Sequence, residues 1–237
     1  YGISQGAGVR VISGNKTGYA YTDEITEEKL MRAAEVASYV ARGSKIISPL
    51  NVAQTERQSF VSVIQPLNSI ADEKRIEIIQ RTNQAVLDYD ARIKMAMIDY
   101  YDEVRSRVIA NSEGIYLKDE LPMLFFIVQA MSDDGKSRHM ARERLSMHSG
   151  FEMFEKVTPE TVAQRAAREA IAMLDAEEAP AGMMDVVMQN GWGGVLVHEA
   201  VGHPLEADNI AKKIGAFTGK LGQKVASEKF TMVDDGT

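Results

Sequence analysis

Two histidines and a glutamate stand close together in His198-Glu199-Ala200-Val201-Gly202-His203. Imidazole nitrogens and carboxylate oxygens are common protein donors to zinc. A catalytic zinc site takes three such donors and leaves one position open for water. In the familiar helical HExxH arrangement the histidines are four apart, an offset of roughly 40° around the axis. Here the gap is five, and at about 100° per residue the offset grows to roughly 140°. Two imidazoles placed so on an ideal helix cannot meet on one ion.

Two arrangements resolve this. In the first the helix is distorted: a π-turn holds about 4.4 residues, which brings a gap of five back to an offset of about 50°. Gly202 lowers the cost of unusual backbone angles there. Pro204 has no N–H for the helix ladder and disfavours helical geometry at His203. In the second the helix stays ideal, Glu199, His203 and Glu206 share a face and bind the metal, and His198 lies elsewhere. Glu206, Asp208, Asp234 and Asp235 are also candidates to orient a ligand imidazole from outside the ligand set, although Asp234-Asp235-Gly236 reads equally as a plain turn. The alternative to a metal site is a structural helix whose histidines hydrogen-bond to their neighbours.

The elements that must position these residues read as an α+β chain. Gly8–Thr22 is a hairpin around a Gly/Asn turn. Thr26–Arg42 is an amphipathic helix capped by Thr26, with Glu27 and Glu28 in its first turn and Gly43 as its stop. Ser44–Ile70 reads as a long loop. A second helix covers Ala71–Asp90, with Ile76, Ile79, Val86 and Leu87 on one side. Three strand-like runs follow, split by turns at Ser112–Gly114 and Asp133–Gly135. They form an antiparallel meander, with alternation at Ile93, Met95 and Met97 and at Val104 and Val108. Leu124–Met131 reads as a core strand, and His139 and His148 as a solvated strand face. A helix opens on Thr158 and Pro159 and runs to about Ala176. Glu177–Gly182 is a linker, Met183–Gly191 a strand, and the motif helix follows. The final stretch from Gly215 has strand and turn character. Trp192, just before the motif, either lines a cleft or caps the helix entry.

The formal net charge of −7 and the absence of a Lys/Arg run argue against direct nucleic-acid contact. No cysteine is present, which excludes disulfides and thiolate ligands within these residues. No apolar run reaches membrane-spanning length. The expected setting is the cytoplasm.

Ala179–Asp208, around the HEAVGH core, closely resembles the stretch around the HExxxH motif of the TldD/PmbA family of metallopeptidases. Gly219–Thr237, ending in VDDGT, is similar to the segment that follows it there, and Gln5–Thr26 resembles the family's N-terminal hairpin region. The resemblance implies a zinc-dependent peptidase of the TldD type, because PmbA (TldE) subunits lack the motif. It implies pairing with such a partner subunit and cleavage of unfolded or flexible peptides. It also implies His198 and His203 as zinc ligands and Glu199 as general base, which favours the distorted helix. The family's third ligand is a cysteine in its C-terminal half. The chain therefore resembles a fragment, with an N-terminal antiparallel-sheet domain over 1–178 and the start of a mostly β metallopeptidase domain over 183–237. The rival class is a non-catalytic binding or assembly protein of the same fold. A link to modulation of a DNA enzyme, which the family name has carried, fits the acidic charge poorly.

Overall fold

A computed structural model describes residues 2–41, 53–54, 62–189, 191 and 193–233. Its architecture is mixed, with antiparallel sheets and helices, as the patterning requires. Among the described residues no helix is long and apolar enough to cross a membrane. Two compact units are distinguished: Tyr1–Arg57 with Ser106–Glu120, and Gln58–Arg105 with Leu121–Thr237.

In the first unit β1 (Ala7–Ser13) and β2 (Lys16–Thr22) pair antiparallel, from Ala7 opposite Thr22 to Ser13 opposite Lys16. Gly14, at φ 59°, takes the left-handed conformation that a two-residue hairpin loop needs. Helix α1 (Glu27–Val40) starts where Thr26 Oγ1 accepts the Lys29 N–H at 3.3 Å. It packs on β2 so closely that a Cβ at Gly18 would overlap the Ala37 carbonyl. Short β3 (Ala53–Gln54) runs parallel to the Ile115–Tyr116 end of β5 (Ile115–Asp133). The expected stop at Gly43, and most of the expected loop Ser44–Ile70, lie outside the described residues.

The second unit holds the main core. Helix α2 (Asp72–Leu87), the base of β4 (Ile93–Ala110), β5, β6 (Arg138–Met147), the short α3 (Met153–Lys156) and α4 (Pro159–Leu174) build it. β5 is the central strand, flanked by β4 and by antiparallel β6. Its inward residues Leu124, Phe126, Val128 and Ala130 are fully buried. They meet an alanine face of α4, whose Ala163, Ala166, Ala167 and Ala170 let helix and sheet approach closely. Ser132 Oγ donates to the Ala170 carbonyl at 2.6 Å, so a buried hydroxyl ties β5 to α4. Thr158 caps α4 and Pro159 opens it.

The core departs from the sequence pattern at three places. On α2 the buried positions are Ile78, Thr82 and Val86, while Ile76 and Leu87 are exposed. Thr82 is tolerated because its hydroxyl donates to the Ile78 carbonyl at 2.7 Å. On β4 the expected Ile93 is buried, but beyond it the residues packed against the core are Ala96, Ile98 and Tyr100, whereas Met97, Val104 and Val108 are exposed. Pairing with β5 sets this parity, since Tyr101 lies beside outward Phe125 and its neighbour Tyr100 must then face inward. Finally, residues 183–189 are unpaired rather than a strand, and residues 215–233 form turns rather than strands. A strand requires a neighbour for its backbone groups, and no strand follows β6 among the described residues. The expected β character after residue 183 is therefore absent there.

Candidate metal centre

The motif folds as a chain of short helical pieces. Helix α5 (Gly193–Val197) runs into a π-helical segment, His198–Gly202, then a 3-10 turn, His203–Leu205, and then α6 (Ala207–Ala211). The His203 N–H donates to the His198 carbonyl, five residues back. This is the π-turn that the spacing called for, and it places the two ring centroids 4.4 Å apart. Donor atoms of His198, Glu199 and His203 all lie within 4.8 Å of one another, and no other such group of three occurs among the described residues.

The flanking glycine and proline act differently from expectation. Gly202 has ordinary helical angles, φ −60° and ψ −59°. What it supplies is space: a Cβ there would sit 3.3 Å from His198 Nδ1. His203 also keeps helical angles, φ −57° and ψ −42°, ahead of Pro204. Pro204 instead sits second in the 3-10 turn, where a missing N–H costs nothing.

The carboxylates divide their work. Glu206 Oε1 lies 2.6 Å from His203 Nδ1, and Glu199 Oε2 lies 3.6 Å from His203 Nε2 on the other side of the ring. The hydrogen bond that the His203 ring donates to the Glu206 carboxylate is the main cause that raises the His203 pKa above its ordinary value. Asp208 is paired with Lys212 Nζ at 2.8 Å, which lowers its pKa. Asp234, Asp235 and Trp192 lie outside the described residues. Sequence reasoning missed Asn209, whose Nδ2 donates to the His203 carbonyl at 3.0 Å. A gap of six falls off the helical period that the motif suggests, so no local signal marks it. The residues from α5 to α6 include none that is buried.

Three domain models of one family match the chain in order: PmbA/TldA metallopeptidase domain 1 over residues 1–41, the central domain over 65–174 and the C-terminal domain over 181–237. The chain belongs to the PmbA/TldD metallopeptidase family. It is similar to a metalloprotease TldD homolog of Haemophilus influenzae, 34% identical over 99% of this chain and 50% of that protein. A zinc metalloprotease TldD homolog of Saccharolobus solfataricus is 23% identical over 99% of this chain and 51% of that protein. The fold matches a crystal structure from Bacteroides thetaiotaomicron, named as a candidate modulator of DNA gyrase, with TM-score 0.68 and 14% identity over 94% of this chain and 51% of that one. The chain spans about half the length of the curated relatives it matches.

Proposed function

We propose that the full-length protein is a zinc-dependent peptidase of the TldD type, and that this chain supplies His198 and His203 as two zinc ligands and Glu199 as the general base. The observation that carries this reading is the π-turn that sets the two imidazoles face to edge beside the Glu199 carboxylate. Nitrogen and carboxylate donors suit zinc. Support for the two-histidine set over Glu199, His203 and Glu206 comes from Glu206, whose carboxylate is spent on His203 Nδ1. In the neutral, zinc-binding form of the ring, that contact favours the tautomer with the proton on Nδ1 and the free lone pair on Nε2, the nitrogen facing Glu199. Without a cysteine in the chain, the remaining ligand comes from elsewhere in the full-length protein.

Zinc, when bound, supplies a Lewis acid that acidifies water and polarises a peptide carbonyl. Glu199 accepts the proton of the attacking water and delivers it to the departing amine. Glu206 acts through His203 by holding its ring. The substrates we infer are unfolded or flexible peptides, the partner a PmbA/TldE-like subunit, and the setting the cytoplasm.

Equilibrium dialysis of the full-length protein against zinc tests the ligand set. One ion per chain is expected, with His198→Ala and His203→Ala each weakening binding by more than about 100-fold. Undiminished zinc in both variants removes the reading. Gly202→Ala places a methyl against the His198 ring. It is expected to weaken zinc binding by about tenfold with no change in Tm, because the segment is exposed.

A further inference from the structure

The π-turn brings the two imidazoles together, but it leaves the chain beyond His203 to be held in place by other means. The helix breaks at once: Glu206, at φ −55° and ψ 134°, is extended between the 3-10 turn and α6. Across that break the His203 carbonyl accepts the Glu206 N–H at 3.2 Å. One bond of this kind leaves α6 free to swing about Glu206. The Glu206 carboxylate, which holds the His203 ring, would swing with it.

Asn209, in α6, closes the break. Its Nδ2 donates to the same His203 carbonyl at 3.0 Å. Asn209 is itself fixed from behind. Its own carbonyl accepts the Ile214 N–H at 3.1 Å, and the Ile210 carbonyl accepts the Lys213 N–H at 3.1 Å. This pair of bonds ends a helix on a left-handed residue, and Lys213 takes that conformation at φ 59° although it is not glycine. The turn carries Gly215 back against the motif. A Cβ at Gly215 would lie 2.9 Å from the Pro204 carbonyl oxygen and 3.7 Å from both Asn209 Cβ and Thr218 Oγ1. The Thr218 hydroxyl is buried at this junction. The segment after the motif thus folds back onto the His203–Leu205 turn.

Taking the ligand set above, on which this reading rests, we propose that Asn209 is the positioning residue for the zinc ligand His203. It grips the His203 backbone and so fixes the start of α6. With α6 fixed, the Glu206 carboxylate stands at Nδ1, and Nε2 is turned towards Glu199. His203 is then held at two points, carbonyl and ring, both from beyond the break. The amide is required because the acceptor is a carbonyl: a carboxylate of the same shape has no N–H to give. Groups that orient a ligand in this way set metal affinity by about 10–100-fold.

Zinc affinity of the full-length protein, measured by competition with a chelating indicator, tests the assignment. Asn209→Ala and Asn209→Asp each weaken binding by about tenfold. Gly215→Ala keeps the amide but forces its support off the Pro204 carbonyl, and weakens binding by about the same factor. Asn209 acts through Glu206 and the ring, so Glu206→Ala hides its effect. Asn209→Ala/Glu206→Ala binds zinc within about twofold of Glu206→Ala alone. Cobalt(II) bound in place of zinc reports the reoriented ring as a shifted visible absorption band in Asn209→Ala. Urea unfolding of the zinc-free variants matches the wild type; a zinc loss that tracks lost fold makes the role structural and overturns the proposal. So does wild-type affinity in Asn209→Asp, a double variant whose loss is the product of the single losses, or a cobalt band that does not move. His203→Ala separates the two readings. Zinc affinity that survives it removes the ligand set, and Asn209 with it. Affinity lost there but kept in Asn209→Ala removes Asn209 alone.

Discussion

Glu199→Gln in the full-length protein is expected to lower kcat/KM for peptide cleavage by about 10²–10⁴-fold while zinc content stays at the wild-type level. The two results belong together. The amide keeps the size of the carboxylate and its place beside His203 Nε2, 3.6 Å away in the parent side chain. It cannot accept the water proton. If Glu199 were instead a metal ligand, as in the ideal-helix arrangement, the same substitution would release zinc along with activity. If the motif helix were structural, neither would change. Cleavage assays on a flexible peptide, run beside metal analysis of the same preparation, separate the three cases. Unchanged cleavage sinks the proposed role.

Much of this site was legible because its signal is arithmetic. A gap of five between His198 and His203 fits one ion only if the backbone gains a residue per turn, and the π segment His198–Gly202 does so. The helix starts at Thr26 and Thr158 were legible for a similar reason, since a cap is a contact between residues three apart. The reasons given for the distortion were less sound. Gly202 matters for the room it leaves beside His198, not for its dihedral freedom, and space is a property of what lies nearby. Strand parity on β4 beyond Ile93 failed on the same ground, because its inward face is set by pairing with β5. Thr82 hid the core stripe of α2, since a threonine reads as polar until its hydroxyl is seen to be satisfied. Met183–Gly191 has the composition of a strand, but a strand is a relation between two segments, and no partner lies among the described residues.

The largest effect expected on stability comes from Glu152, which is 2% exposed. Its Oε2 accepts the Gln65 N–H at 2.8 Å, and its Oε1 accepts the Gly150 N–H and the Ser149 hydroxyl, both at 3.1 Å. One carboxylate thus ties the turn after β6 to the chain ahead of α2. The Phe151 N–H closes the same junction on the Gln65 carbonyl at 2.8 Å. Burial alone pushes the carboxyl pKa up, but the backbone N–H groups of Gln65, Glu152, Ile64 and Gly150 together outweigh it and hold the carboxyl at about 2. On unfolding it returns towards 4.5. Acid protonates the unfolded carboxyl first, so its contribution is complete above the unfolded value. It declines as pH falls below that value and is gone once the folded group is protonated near 2. The amount at stake is roughly 3 kcal/mol at neutral pH. Glu152→Gln turns one acceptor into a donor facing N–H groups and is expected to cost about 2–4 kcal/mol. Urea unfolding of wild type and variant at neutral pH measures that difference directly. Repeating it towards pH 3 should narrow the gap, because only the wild type loses this contribution to acid. A gap that stays constant with pH would show that the Glu152 charge does not hold this junction.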